Sequence, residues 1–169
     1  MYWWTFFQAE SFTAAMILRD CIDIELPPEP VWEMLRYAEY MELWNPKCVS
    51  CPSLGRELRQ GDRFVATFKM SREQVTDVEV RALEPFQRLA LRHFPREMGG
   101  HVDEIYTLEV RKNGRATRVR QVVDMRQAGF PKWVVPIIWL INVLGRKKGI
   151  GPLEGLRDAA IAQAKLGDA

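Results

Sequence analysis

Along the middle of the chain, apolar and polar residues alternate with a period of two. After Gly61-Asp62, Phe64, Ala66, Phe68 and Met70 alternate with Val65, Thr67 and Lys69. Thr76, Val78, Val80 and Ala82 then alternate with Asp77, Glu79 and Arg81, and Leu89, Leu91 and His93 with Ala90 and Arg92. Val102, Glu104, Tyr106, Leu108 and Val110 alternate with Asp103, Ile105, Thr107 and Glu109. The last such run sets Thr117, Val119, Gln121, Val123 and Met125 against Arg118, Arg120 and Asp124. Successive side chains of a strand point to opposite faces, so each run predicts a strand with one buried and one wet face. Strands of that kind belong to an antiparallel sheet.

The connections set the register. Asn113-Gly114 between the last two runs predicts a type I′ hairpin turn. With Lys112 opposite Arg115, Val110 falls across from Thr117 and Tyr106 across from Gln121. Pro95 to Gly100 predicts a looser hairpin, which puts His93 near Val102 and Glu104 near both Leu91 and Val123. Glu84-Pro-Phe-Gln87 predicts a further turn, and the runs read as a meander.

Ahead of the meander, Ile22, Ile24 and Leu26 alternate with Asp23 and Glu25 as a first strand. Pro27, Pro28 and Pro30 stop it and pre-set φ for a helical first turn. Val31, Met34 and Leu35, with Trp32 beside them, form a short apolar helical stripe. A second short helix is expected through Tyr40 and Leu43, closed by Trp44-Asn-Pro46. Downstream, Pro131 fits the first position of a helix, and Pro136 should kink the apolar run from Trp133 to Leu144. Gly145, Gly149, Gly151 and Pro152 break the chain again. Leu153, Leu156, Ala160 and Ala164 then recur at helical spacing.

Strand, proline hinge, two short helices, meander and C-terminal helix form an order that resembles the helix-grip proteins. These are the START and birch-pollen-allergen-like superfamily (SRPBCC), and the likeness is in particular to its bacterial polyketide cyclase/dehydrase-like branch. It runs from Met16 to Lys165. It implies an α+β fold: a curved seven-stranded antiparallel sheet around a long C-terminal helix, with two short helices after strand 1. The expected organisation is one helix-grip domain over residues 16–169, preceded by an aromatic extension over residues 1–15. Within that extension, Met-Tyr-Trp-Trp-Thr-Phe-Phe7 holds five aromatics in seven residues. Three readings stand: a segment that docks on its own core or on a second subunit, a stretch ahead of a translation start at Met16, or an anchor at a membrane interface.

Composition narrows the partners more than the fold. The net charge is +2, and Arg146-Lys-Lys148 is the one basic cluster. No basic stripe with stacking aromatics appears, so no nucleic-acid partner is expected. Three cysteines, an odd count, fit a reducing compartment better than a disulfide framework. No basic n-region or small-residue cleavage site marks a signal peptide, and no stretch reaches the roughly 20 apolar residues of a membrane span. The expected location is cytoplasmic, or peripheral to the inner membrane if Trp133–Leu144 with its basic flank and the N-terminal aromatics touch lipid.

The resemblance implies a hydrophobic ligand cavity between sheet and helix, and the strand phases say which polar groups face it. His93, Glu104, Tyr106 and Gln121 share the apolar face of adjacent strands, with Thr76 one strand further along. A carboxylate among apolar neighbours is costly unless paired, hydrogen-bonded or protonated. Glu104 is therefore the leading candidate and His93 the second for any catalysis. The expected ligand contacts are Trp44, Phe68, Thr76, Val78, Leu91, His93, Glu104, Tyr106, Gln121, Val123 and Trp133. A register slip of one residue would turn the polar group of side chains to solvent.

Binding of a hydrophobic small molecule, such as a lipid, isoprenoid or polyketide, is the first expectation. The alternative is a polyketide cyclase or dehydratase, in which His93 or Glu104 removes a proton α to a carbonyl and Tyr106 or Gln121 holds the oxygen. A third reading is a membrane-associated quinone- or lipid-handling protein. Cys48-Val-Ser-Cys51 has the spacing of half a zinc site without the other half, and reads as two ordinary thiols on a strand after Pro46. No phosphate-binding glycine loop, Gly-x-Ser-x-Gly or His-Glu-x-x-His occurs, so neither a cofactor nor a metal is expected.

Overall fold

The alternating runs pair into one antiparallel sheet. The computed structural model describes residues 16–70, 72–131, 133–134 and 150–167. Its strands are β1 (Ile17–Ile24), β2 (Cys48–Ser50), β3 (Arg63–Lys69), β4 (Glu73–Glu84), β5 (Arg88–Pro95), β6 (Val102–Arg111) and β7 (Ala116–Asp124). Its helices are α1 (Pro28–Leu35), α2 (Met41–Trp44) and α3 (Pro152–Gly167). The seven strands lie in the order β1-β7-β6-β5-β4-β3-β2, a meander whose first strand returns to pair with the last. This is the α+β helix-grip architecture expected.

The hairpin registers are those read from the turns. Val110 pairs with Thr117, Tyr106 with Gln121 and Glu104 with Val123, while His93 pairs with Val102 and Leu91 with Glu104. Asn113 at φ 54° and ψ 43° and Gly114 at φ 91° supply the positive φ that a type I′ turn needs. Lys112 also has φ 50°, and the ladder closes at Arg111 and Ala116, so the loop is wider than a two-residue turn.

Four expectations are corrected. β1 begins at Ile17 rather than Ile22, because Ile17 to Asp20 also find partners on β7. In β4 the pairing shifts between Val80 and Ala82, a bulge that spends one residue without advancing the partner strand. Leu83, not Ala82, therefore packs toward the core. In α2 the inward pair is Met41 and Trp44, three apart on a single turn, and Leu43 points out. The Val134 amide donates to the Pro131 carbonyl at 2.9 Å, and Trp133, expected as a ligand contact, is 70 % exposed. The remainder of the apolar run and the aromatic residues 1–15 lie outside the described residues.

Pro27 caps α1 in an extended conformation, and Val31, Trp32, Met34 and Leu35 form its buried face. α3 opens on Pro152, a position where the missing N–H costs nothing. It buries Leu153, Leu156 and Ala160 against α1 and α2 and also touches β1. Gly155 makes the contact with α2 close: a Cβ there would sit 2.0 Å from the Trp44 carbonyl oxygen. The apolar interior thus runs from α3 through Trp44 to the inner face of the sheet, where Val78, Val80, Leu89, Leu91 and Tyr106 are buried.

The outer face is covered by cross-strand ion pairs. Arg92 grips Asp103 at 2.7 and 2.9 Å, Arg118 grips Asp23 at 2.7 Å, and Arg96 grips Asp77 at 2.9 Å. Such exposed pairs contribute little each, but they fix which face of the sheet meets water. Among the described residues, no helix is long and apolar enough to cross a membrane.

Candidate functional site

The inner face carries one polar island. β5 supplies His93, β6 supplies Glu104 and Tyr106, and β7 supplies Gln121. Two residues apart on one strand, Glu104 and Tyr106 point the same way, and the β6–β7 register sets Gln121 directly beside Tyr106. His93 faces Val102, which leaves it diagonal to Glu104 and within reach.

All four side chains meet on one carboxylate. His93 Nε2 lies 3.0 Å from Glu104 Oε2. The Tyr106 hydroxyl donates to Glu104 Oε1 at 2.7 Å, and Gln121 Nε2 donates to the same oxygen at 2.6 Å. Gln121 Nε2 also donates to the Tyr106 oxygen at 3.0 Å. His93 and Glu104 are 8 % exposed, Gln121 is 7 % and Tyr106 is fully buried.

The electrostatics follow from this geometry. Burial pushes the Glu104 carboxyl upward, but the bond and charge of His93 and the bonds from Tyr106 and Gln121 outweigh it, and the group is held below its ordinary value. Glu104 is thus an ionised carboxylate kept in the interior by three donors. Burial, then the neighbouring Glu104 charge, drives the Tyr106 phenol well above its ordinary value, so it remains a donor at any working pH.

The other expected contact residues are placed around the island, with one exception. Val78 pairs with His93, Leu91 with Glu104, and Val123 with Glu104, so these three form the apolar wall around the island. Phe68 lies edge-on to the His93 ring at 5.6 Å, and Trp44 lies edge-on to Tyr106 at 5.5 Å. Thr76 is buried on the same face, opposite Pro95 and one step past Val78, and makes no hydrogen bond to the island. Trp133 is not brought to it. The Trp44 indole N–H is buried and has no acceptor among the described residues.

Cys48 and Cys51 are both buried, although a regular strand would send residues three apart to opposite faces. An irregularity between Cys48 and Ser50 in the pairing with β3 turns Val49 and Ser50 both outward and Cys51 back in. Among the described residues, no cluster of three or more ligating side chains forms around these thiols or elsewhere. A groove of about 520 Å³ opens on the opposite, outer face, lined by Arg63, Val65, Asp77, Glu79 and Phe94 among others. It lies across the sheet from the island and shares no polar residue with it.

Sequence comparison agrees with this architecture. A family model described as Activator of Hsp90 ATPase homolog 1-like protein matches residues 25–132. The chain belongs to that family. The matched span of this Activator of Hsp90 ATPase homolog 1-like chain starts at the end of β1 and includes every residue of the island. None of the curated proteins matches it significantly.

Among solved structures, a START superfamily protein from Mycobacterium smegmatis is similar over 90 % of this chain and 97 % of its own, at 13 % identity and a TM-score of 0.59. A protein from Nitrosomonas europaea is similar over 90 % and 98 %, at 16 % identity and a TM-score of 0.63. DynU16, from the dynemicin biosynthetic locus, is similar over 90 % of this chain at 16 % identity and a TM-score of 0.53. There the likeness spans 48 % of the longer protein. At these identities the likeness is one of fold, and the fold that this Activator of Hsp90 ATPase homolog 1-like chain shares with them is the one expected from the order of its elements.

Proposed function

We propose that this protein binds a predominantly apolar small molecule against the inner face of the sheet, with the His93–Glu104–Tyr106–Gln121 island fixing its orientation. The observation that carries the proposal is the ionised Glu104 carboxylate set into a wall of Val78, Leu91 and Val123. A buried charge with its partners is at best neutral for stability compared with apolar side chains of the same volume. A few convergent polar groups in an apolar surface are the usual makeup of a small-molecule site. The fold shared with a START superfamily protein and with a protein from a biosynthetic locus supports the same reading. The family's name points instead to a protein partner, a chaperone ATPase, and an inward-facing island does not favour that.

Native mass spectrometry of freshly purified protein, followed by solvent extraction, tests the proposal. A co-purifying lipid-like or polyketide-like mass is expected, and it should vanish in Leu91→Trp, which fills the wall beside Glu104. A protein that stays free of ligand across expression hosts and takes up no apolar probe would overturn it.

One observation favours an enzyme as the second reading. Glu104 holds the His93 ring by one nitrogen, as an acid/base histidine is commonly held by a carboxylate. Cyclase or dehydratase chemistry would use His93 to take the proton. The hydroxyl of Tyr106 and the amide of Gln121 are engaged by Glu104, however, and neither is left to hold a developing oxyanion. Glu104→Gln separates the two: an enzyme loses turnover and keeps binding, whereas a binder changes affinity alone. A peripheral membrane role draws on the exposure of Trp133 at the start of the apolar run, and liposome flotation tests it.

A further inference from the structure

The donor and acceptor inventory of the island says what kind of polar group it is built to meet. Glu104, ionised, can only accept, so each neighbour must turn a hydrogen toward it. That requirement puts the His93 proton on Nε2 and the Gln121 nitrogen, not its oxygen, toward the carboxylate. The single Tyr106 hydroxyl hydrogen goes to Glu104. The two amide hydrogens of Gln121 go to Glu104 and to the Tyr106 oxygen. Every N–H and O–H of His93, Tyr106 and Gln121 is then engaged inside the group.

With the His93 ring neutral, two polar atoms are left over, His93 Nδ1 and Gln121 Oε1, and both are acceptors. Neither has a partner among the described residues, and neither is among the side-chain atoms sealed away without one. Both parent residues are buried, His93 to 8 % and Gln121 to 7 % exposure. The unengaged Trp44 N–H is fully enclosed, and its ring lies edge-on against Tyr106. The Thr76 hydroxyl, further along β4, can serve in either sense.

We infer that the island recognises a hydrogen-bond donor, the hydroxyl or N–H head of an otherwise apolar molecule, through His93 Nδ1 and Gln121 Oε1. This rests on the small-molecule reading above and sharpens it. A ketone, ester or ether oxygen brought to the same place meets lone pairs on both sides and leaves them unpaired, and a site built for a hydroxyl discriminates strongly against analogues that lack it.

The test compares decan-1-ol with methyl decyl ether by isothermal titration calorimetry near pH 8, where an ordinary histidine is neutral. The alcohol is expected to bind about tenfold tighter or better, the order of one hydrogen bond. The double variant His93→Phe with Gln121→Leu should erase that advantage. Equal or tighter binding of the ether to the unmodified protein would overturn the inference and leave the binding reading standing. Failure of both probes to bind would remove that reading and this inference with it.

A second measurement does not depend on the variants folding. The protein has two histidines, so long-range ¹H–¹⁵N correlation of the unmodified chain, assigned with His101→Asn, reads the His93 ring directly. A bare Nδ1 and a protonated Nε2 are expected, with Nδ1 moving on addition of the alcohol and not of the ether. A proton on Nδ1 in the free protein would overturn the inference.

Discussion

The Tyr106 hydroxyl donates to Glu104 Oε1 across 2.7 Å, although the two residues stand on one strand with a single position between them. Neighbours on the same face of a strand rarely bond so closely, because their Cα atoms are about 7 Å apart. Here the long side chains lean together, and Gln121 of the adjacent strand bridges both. Removing the hydroxyl strips Glu104 of one donor and leaves one Gln121 N–H without its acceptor. Tyr106→Phe should therefore lower unfolding free energy by about 1–2 kcal/mol, measured by urea denaturation with an unchanged slope.

The same burial makes Tyr106 spectroscopically silent. The chain has four tyrosines, and burial together with the Glu104 charge holds this one un-ionised. In an alkaline absorbance titration of the native protein, Tyr106→Phe should leave the phenolate amplitude unchanged. Loss of one tyrosine's worth of signal before unfolding would contradict the arrangement.

Glu104 sets an acid limit on stability. Its folded carboxyl is held below the ordinary value, so its contribution is complete above the unfolded carboxylate range, near pH 4.3, and is lost as pH falls through the lower folded value. Glu104→Gln should be less stable at pH 7 by about 1–3 kcal/mol, since its amide N–H₂ faces donors. Its melting temperature should also fall less than that of the unmodified protein between pH 5 and 3. Parallel curves would show that Glu104 is not ionised in the fold.

Gly155 offers a case where helix propensity and packing disagree. Alanine is favoured over glycine inside a helix by up to about 1 kcal/mol, but at this position its Cβ would stand 2.0 Å from the Trp44 carbonyl oxygen. Gly155→Ala should destabilise by about 1–3 kcal/mol, and it should shift the indole signal of Trp44 because α3 must lift from α2. Stabilisation would mean that the two helices are not in close contact.

The three cysteines should differ sharply toward iodoacetamide. Cys21 is exposed, whereas Cys48 and Cys51 are buried. The Cys48 thiol and burial push Cys51 up, far from the thiolate that alkylates. One equivalent of label is expected on the native protein and three after denaturation, counted by intact mass.

Much of this was legible before the structure, and the reason is geometric. A period of two leaves a strand residue only two directions, so His93, Glu104, Tyr106 and Gln121 could be placed on one face from their neighbours alone. Asn113-Gly114 then aligned β6 with β7 without ambiguity. What escaped were features with no period. The bulge at Arg81 inverts β4 beyond it, so Leu83 replaces Ala82 at the core, and the irregularity before Ser50 does the same for Cys51. α2 is a single turn, too short for a stripe to distinguish Met41 from Leu43. Nor could the sequence say that Glu104 would draw in the hydrogens of its neighbours, because that depends on angles within the island rather than on which residues compose it.

The return of β1 to pair with β7 fixes an order of events on the folding chain. Ile17 meets Asp124, so the first strand made must wait for roughly a hundred residues before its partner exists, and contacts that remote form slowly. β5, β6 and β7 need only their own hairpins. The island is thus complete while Ile22 and Ile24 are still unpaired, and a chain stalled at that stage would present an unpaired strand to other copies.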